Sequence, residues 1–339
     1  MNTSTLKNAV VFFMLIFGIC IEVIAEIPET TQPGDAMKSE MIFSVFAETP
    51  EQLNHALVLV ESVRTFCGEF ADSPVWIYMP ESLKTGQTES IKRLTELKAE
   101  CRLSPEPIPE TARMYYAQKV YAASAAEQAA EKESSLLIWM DEDTVFLRQP
   151  DCLKLEKGIV FGYRPVMHNR SGVAWESEPN PFWQRIYELL NVNESMMFPM
   201  VTPADQIKIQ PYFNAGLLAV RPGRKIMRRW VDCFEKLCRD EAIVEMCMEK
   251  VDNRIFVHQT ALVGAVLPHL KRDQMTELPD TVNYPLFFDQ MFGAKGKFED
   301  LSKKTSIRYD MYFRNPAPDW ADRLKGDPKL IRWLKAHLK

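Results

Sequence analysis

The sequence predicts an α/β fold: a doubly wound, mainly parallel sheet flanked by helices, with an irregular C-terminal part. Three observations carry this. Short apolar runs alternate with helical patterns from Met41 onward. The most apolar run, residues 135–140, is hydrophobic on both faces. That run ends abruptly in Asp141-Glu142-Asp143. Two-sided hydrophobicity marks a strand covered by helices above and below, which is the habit of parallel sheets.

The elements follow in order. Residues 41–46 form a first buried strand. Ala47-Glu48-Thr49-Pro50 turns the chain, with Thr49 placed to cap a helix and Pro50 at its first position. Leu53, Ala56, Leu57, Val60 and Val63 recur at spacings of three and four, so a helix follows. Residues 75–79 give a second strand and complete a β-α-β unit. Further helices are expected over 88–100 and, alanine-rich, over 111–132. Strand 135–140 comes next, and an apolar stretch resumes at 144–147. The second half predicts a helix over 181–190, a loop-to-strand passage over 212–220 and a helix over 225–237. Another helical stretch opens at Val257. Residues 270–320 read as irregular, and 329–339 as a short basic amphipathic helix.

Composition bounds the function. Of 339 residues 46% are apolar, which supplies a full core, and the net charge is −5. That charge argues against broad electrostatic binding of nucleic acid, and no nucleic-acid motif is present. At the N-terminus Lys7 precedes the uncharged run Ala9 to Ile21, and Val23-Ile24-Ala25 suits signal-peptidase cleavage. Residues 1–25 therefore read as a signal peptide, with a short membrane anchor as the alternative, and export through the secretory pathway is expected. Residues 26–40 read as a linker, 41–300 as the main α/β domain and 301–339 as a tail with a basic amphipathic helix. Cys67, Cys101, Cys152, Cys233, Cys238 and Cys247 remain, compatible with disulfides or with buried thiols.

In parallel sheets ligands bind beyond the carboxyl ends of strands. Asp141 and Asp143 sit at such an end and alternate, so they face one site. Two convergent carboxylates repel and call for a cation. Mn²⁺ or Mg²⁺ takes oxygen ligands and shares coordination with substrate phosphates. A solvated acidic turn is the bland alternative.

With these residues the sequence resembles the GT-A glycosyltransferases, most closely the glycogenin-like glycosyltransferase family eight. Residues 137–145 are similar to that group's strand and Asp-x-Asp motif. Residues 211–218, Pro-Tyr-Phe-Asn-Ala-Gly-Leu-Leu, are similar to its Phe-Asn-Ala-Gly motif. The helix carrying Tyr116-Ala117-Gln118-Lys119 precedes both in the expected order, and the likeness covers roughly residues 41–290. It implies a nucleotide-sugar donor, expected to be a UDP-sugar, and a glycan, lipid or protein acceptor, with retention of configuration. It further implies Mn²⁺ (or Mg²⁺) on Asp141 and Asp143, with Asp141 also touching the donor's ribose. Ala47, Glu48 and Thr49 would line the base pocket, and Lys119 would stand in for the family's arginine. Asn214, Ala215 and Gly216 would lie beside the transferred sugar or acceptor, and Gln259 by the reacting carbon. The chain departs from the family at His258, where an acid is usual. It also lacks the late His-x-x-Gly-x-x-Lys motif, for which Tyr309, Asp310 and Arg314 are the nearest substitutes.

Asp205 and Asp289 are the carboxylates available to an inverting mechanism. His55, His269 and His337 have no ligand-like neighbours in sequence and read as packing or surface residues. The final helix sets Lys329, Arg332, Lys335 and Lys339 on one face and leucines on another, which allows either peripheral membrane contact through 329–339 or plain packing on the domain. Two rival functions remain: an exported, non-catalytic GT-A-like domain that binds glycans or nucleotides, and a metal-dependent phosphohydrolase or nucleotidyltransferase.

Overall fold

Among the described residues twelve strands follow in order: β1 (Ile42–Phe46), β2 (Val75–Met79), β3 (Ala99–Leu103), β4 (Leu137–Met140), β5 (Thr144–Phe146), β6 (Phe161–Pro165), β7 (Met200–Val201), β8 (Lys208–Ile209), β9 (Phe213–Val220), β10 (Met275–Glu277), β11 (Tyr284–Pro285) and β12 (Ser306–Arg308). The computed structural model describes residues 39–287, 300–314, 316 and 318–338. The expected signal peptide, most of the linker, Asp289 and Lys339 lie outside the described residues. No described helix is long and apolar enough to cross a membrane.

Seven strands form the central sheet in the order β10-β6-β9-β4-β1-β2-β3. Strands β4, β1, β2 and β3 pair in parallel, as do β10 and β6. Strand β9 runs antiparallel to both its neighbours, β4 and β6. The pleat explains the two-sided hydrophobicity. Leu137 and Trp139 face one core with Ile42 and Trp76, while Ile138 and Met140 face the other with Phe43, Val45 and Ile77. Helices cover both cores, as the alternation of elements predicted.

The first helix, Pro50–Phe66, begins as expected at Thr49. Gln52 closes a capping box: its backbone N–H donates to Thr49 Oγ1, and its Oε1 accepts from the N–H groups of Glu48 and Thr49. Two expectations need correction. The helix expected over 88–100 stops at Glu96, Lys98 takes φ 56°, and the chain enters edge strand β3. An edge strand half open to water carries charges, so Ala-Glu-Cys-Arg-Leu showed no apolar run. The helix expected over 111–132 is two helices, Pro109–Ala112 and Ala117–Glu133, broken at Tyr116 with φ 62°.

The segment expected to be irregular carries β10, β11 and β12. Strands β11, β12 and β5 form a small sheet whose β12 runs antiparallel to β5. A third core lies beneath it. Val145, Leu147, Ile307 and Tyr309 pack there with Leu330 and Leu334 of the last helix, Pro328–His337, and with Leu338 at its C-cap. That helix therefore buries its leucines in the protein, and Trp333 sets its ring edge-on to Phe66 at 5.1 Å. It offers no leucine stripe to a lipid surface. The six described cysteines are all free thiols.

Candidate active site

One edge of the sheet gathers the loops that matter. Glu48 and Thr49 follow β1, and Asp141 to Asp143 follow β4. Because β9 runs the other way, its first residues reach the same edge, where the Asp141 N–H donates to the Gly216 carbonyl at 2.9 Å. Here lies a cavity of about 610 Å³ whose walls include Glu48, Thr49, Lys119, Asp141, Asp143, Asn214, Gly216, His258, Gln259 and Arg308.

Its electrostatic centre is a carboxylate pair met by two cations. Lys119, on the helix Ala117–Glu133, pairs with Asp141 Oδ1. Arg308 spans the two acids: Nη2 lies 2.9 Å from Asp141 Oδ2, and Nε 3.0 Å from Asp143 Oδ1. Asp143 is only 2% exposed. Burial pushes the Asp141 carboxyl up, but Lys119 and Arg308 outweigh it and hold the group below its ordinary range. Burial, then Asp143 and Asp141, pushes the Glu142 carboxyl up to about 8. Burial works against the charged guanidinium of Arg308, yet Asp143 and Asp141 raise its pKa above the usual value.

Two carboxamides are fixed by backbone. Asn214 Oδ1 accepts from the Gly216 N–H at 2.7 Å, and Gln259 Oε1 accepts from the Ala215 N–H at 3.0 Å. With each oxygen held, the NH₂ of Asn214 is the part left to meet a ligand, while that of Gln259 also faces the Tyr212 hydroxyl. His258 is kept neutral: burial, and next to it the charge of Lys119, lowers its imidazole to about 3. A neutral ring whose Nδ1 lies 2.8 Å from the Ile255 carbonyl donates there, so Nε2 is an acceptor.

Most of the sequence-predicted residues therefore meet in one place, with two exceptions. Ala47 and Ala215 are buried and do not line the cavity; they serve through backbone, Ala47 by donating its N–H to the Tyr78 carbonyl and Ala215 by holding Gln259. Asp205 accepts from the Asn169 N–H at 2.9 Å and from Thr202, and so ties loops together. Gly216 has a steric reason. A Cβ there would stand 2.6 Å from Asp141 Oδ2, 2.8 Å from Asn214 Oδ1 and 3.1 Å from Arg308 Nη1.

Sequence reasoning missed Arg308 altogether. It also missed Tyr116, half exposed on the cavity wall in a left-handed conformation, its ring 4.7 Å from that of His258. Backbone in that region costs about 1–3 kcal/mol and concentrates at functional sites. His55 was read as a packing residue; its ring does pack on Tyr309, but it also lines the cavity with Glu51 and Asp310, their donor atoms within 4.8 Å of one another. No sequence signal joins residues so far apart. His337 stacks on Trp333, as a packing residue should.

A divalent ion can be tested against this arrangement. The donors at Asp141 and Asp143 are hard oxygens and right in kind. As they stand they do not fit an ion, because Arg308 and Lys119 already engage them. Glu51, His55 and Asp310 form the described group of donor side chains close enough to share one.

A mainly parallel sheet with a carboxylate pair at the end of a central strand, facing a cavity walled by anchored carboxamides, is the arrangement expected of a GT-A glycosyltransferase. The chain belongs to the family described as the Rhodobacterales glycosyltransferase domain, matched over residues 43–266. No curated protein sequence matches it. Among solved structures the fold is similar to the apo form of the bifunctional glycosyltransferase WbbM, with a TM-score of 0.50 and 11% identity over 90% of this chain and 53% of that one. The chain thus spans about half the length of WbbM. Mouse xyloside xylosyltransferase 1, apo form, gives a TM-score of 0.45 at 15% identity, over 83% of this chain and 100% of that one. The galactosyltransferase LgtC, in complex with donor and acceptor sugar analogues, gives 0.47 at 11%, over 88% and 95%. The family-eight likeness is not among the relationships these matches establish; the GT-A class is.

Proposed function

We propose that this glycosyltransferase takes its sugar from a nucleoside-diphosphate sugar, a UDP-sugar in the first instance, and passes it to a glycan, lipid or protein acceptor in the cavity at the β1/β4 edge. One observation carries the reading: Lys119, Arg308, the acid pair, Asn214 and Gln259 converge on a single cavity of about 610 Å³. That volume is of the size ligand pockets take.

The chemistry follows from charge. As the glycosidic bond breaks, the nucleoside diphosphate gathers negative charge and the sugar becomes oxocarbenium-like. Lys119 and Arg308 supply fixed positive charge beside the place where it develops. Glu48 and Thr49 are the residues for the nucleotide end. Asn214 and Gln259 turn anchored carboxamides toward sugar hydroxyls, and the neutral His258 adds an acceptor. Mn²⁺ (or Mg²⁺), expected from the resemblance, would polarise the diphosphate as a Lewis acid. Asp141 and Asp143 would hold it only if Arg308 and Lys119 gave way.

The test is a panel of UDP-, GDP- and ADP-sugars, scored first by thermal shift and then by release of nucleoside diphosphate with and without candidate acceptors. Stabilisation by at least one nucleotide sugar supports the reading, since a ligand of the folded state raises stability by mass action. A panel without any stabilisation would defeat it. The anomeric proton of the product reads retention, which belongs to the proposal, and sequencing the N-terminus of the exported protein reads cleavage after Ala25.

A further inference from the structure

Positive charge must meet the donor's diphosphate beside the acid pair, and the residue standing there is Arg308. We propose that Arg308, with Lys119 beside it, is the resident cation of this site: it neutralises Asp141 and Asp143 and takes the diphosphate directly, so that nucleoside diphosphates bind without a divalent ion. The inference rests on the transferase reading above.

The position of Arg308 is built by backbone. The ladder of β12 and β5 sets Ser306 against Phe146, Ile307 against Val145 and Arg308 against Thr144. One residue on, the Tyr309 N–H donates to the Asp143 carbonyl at 3.2 Å. Strand β5 is tied in turn to the first helix, where the Phe146 N–H donates to Ser62 Oγ at 3.0 Å. The arginine's Cα is thus held beside Asp143 whatever its side chain does.

The space around the guanidinium is also made for it. Gly216 leaves open the volume that a Cβ would fill at 3.1 Å from Nη1. Nη1 takes part in neither contact with Asp141 nor with Asp143, which use Nη2 and Nε. It is therefore the edge of the fork that points toward β9, where the resemblance puts the transferred sugar. A guanidinium is planar, weakly hydrated and matched to phosphate oxygens, so it can serve two carboxylates and an anion together. Arg314 lines the same cavity, ion-paired with Asp310 at 2.8 Å, and adds a third cation to the wall. A divalent ion bound to both Asp141 and Asp143 would lie within a few ångströms of the guanidinium. Like charges that close repel, so ion and arginine compete for one pair of carboxylates.

The experiment is calorimetric titration of UDP and of GDP into the full chain, in excess EDTA and in Mn²⁺, for the parent, Arg308→Gln and Arg308→Lys. The parent should bind one of the two nucleotides in EDTA within about threefold of its affinity in Mn²⁺. Arg308→Gln should lose roughly tenfold or more in EDTA, the loss of a charge-assisted hydrogen bond. Arg308→Lys, which keeps the charge and loses the fork, should fall between them and guards against a glutamine variant that fails to fold. Parent protein that binds only with Mn²⁺, or an Arg308→Gln variant whose binding in EDTA equals the parent's, overturns the proposal and leaves the transferase reading standing. Failure of UDP, GDP and also ADP to bind under any condition overturns both.

Discussion

Replacing Gly216 by alanine is the smallest change that reaches the centre of the site. The new methyl would stand 2.6 Å from Asp141 Oδ2, 2.8 Å from Asn214 Oδ1 and 3.1 Å from Arg308 Nη1. Real Cβ atoms do not approach heavy atoms under about 3 Å, so two polar side chains must move. Overpacking of this kind costs about 1–3 kcal/mol. Against it, alanine inside a strand regains about 0.5–1 kcal/mol that glycine loses to backbone freedom. The balance is a destabilisation of about 1–2 kcal/mol, which in a domain of this size lowers Tm by roughly 2–3 °C. Nucleotide affinity should fall further, by roughly tenfold, because the displaced groups are Asn214 and Asp141, the latter paired with Arg308. Thermal melts and titration with UDP read both quantities. Gly223→Ala is the control: nothing lies within 4 Å of its Cβ position, so stability and binding should hold. A Gly216→Ala protein that melts with the parent and binds UDP equally well would refute the close approach on which the site depends.

Other consequences follow from the same geometry. Glu142 carries a carboxyl raised to about 8 from 4.5, so the folded protein binds its proton more tightly than the unfolded chain. Its contribution to stability is present below about 4.5 and is lost as pH rises toward about 8. Glu142→Gln should remove that slope, and denaturant titrations of parent and variant that keep the same difference at every pH would contradict it. Gln259→Ala leaves the buried Ala215 N–H without its acceptor, at a cost of about 1–3 kcal/mol, and should lower kcat more than it raises KM. A variant with unchanged kcat would move Gln259 out of the reacting region. Truncation after Asp327 removes Leu330, Leu334 and Leu338 from the core beneath β5 and β12. Each is worth about 1.5–3 kcal/mol of burial, so the truncated chain should melt well below the parent and bind UDP weakly. An unchanged Tm would show that the last helix is a mere appendage.

Where the sequence spoke clearly, it did so through periodicity. Buried strands such as Leu137–Met140 and helices such as Pro50–Phe66 carry their environment in consecutive residues, and both were legible. Strand β3 was not, because at the sheet edge only Ala99 is buried, Cys101 and Arg102 are half-buried, and Glu100 and Leu103 are exposed. The break at Tyr116 was hidden for a different reason. Its left-handed backbone runs against the residue's own preference, its ring packs on His258, and nothing in an alanine-rich stretch announces it.

The site divides along the same line. Asp141 and Asp143 were legible because strand alternation aims both carboxylates one way, and repulsion between them demands a cation. The identity of that cation was not legible, since the chain supplies it from Arg308, 165 residues beyond Asp143, on a strand of three residues too short to show a pattern. The last helix explains the distance. Its leucines pack in one core with Val145 of β5 and Ile307 of β12, so the segment that looks like a tail lies under the two strands that carry Asp143's neighbour Thr144 and Arg308. A chain built this way couples the integrity of its C-terminus to the charge balance of its cavity.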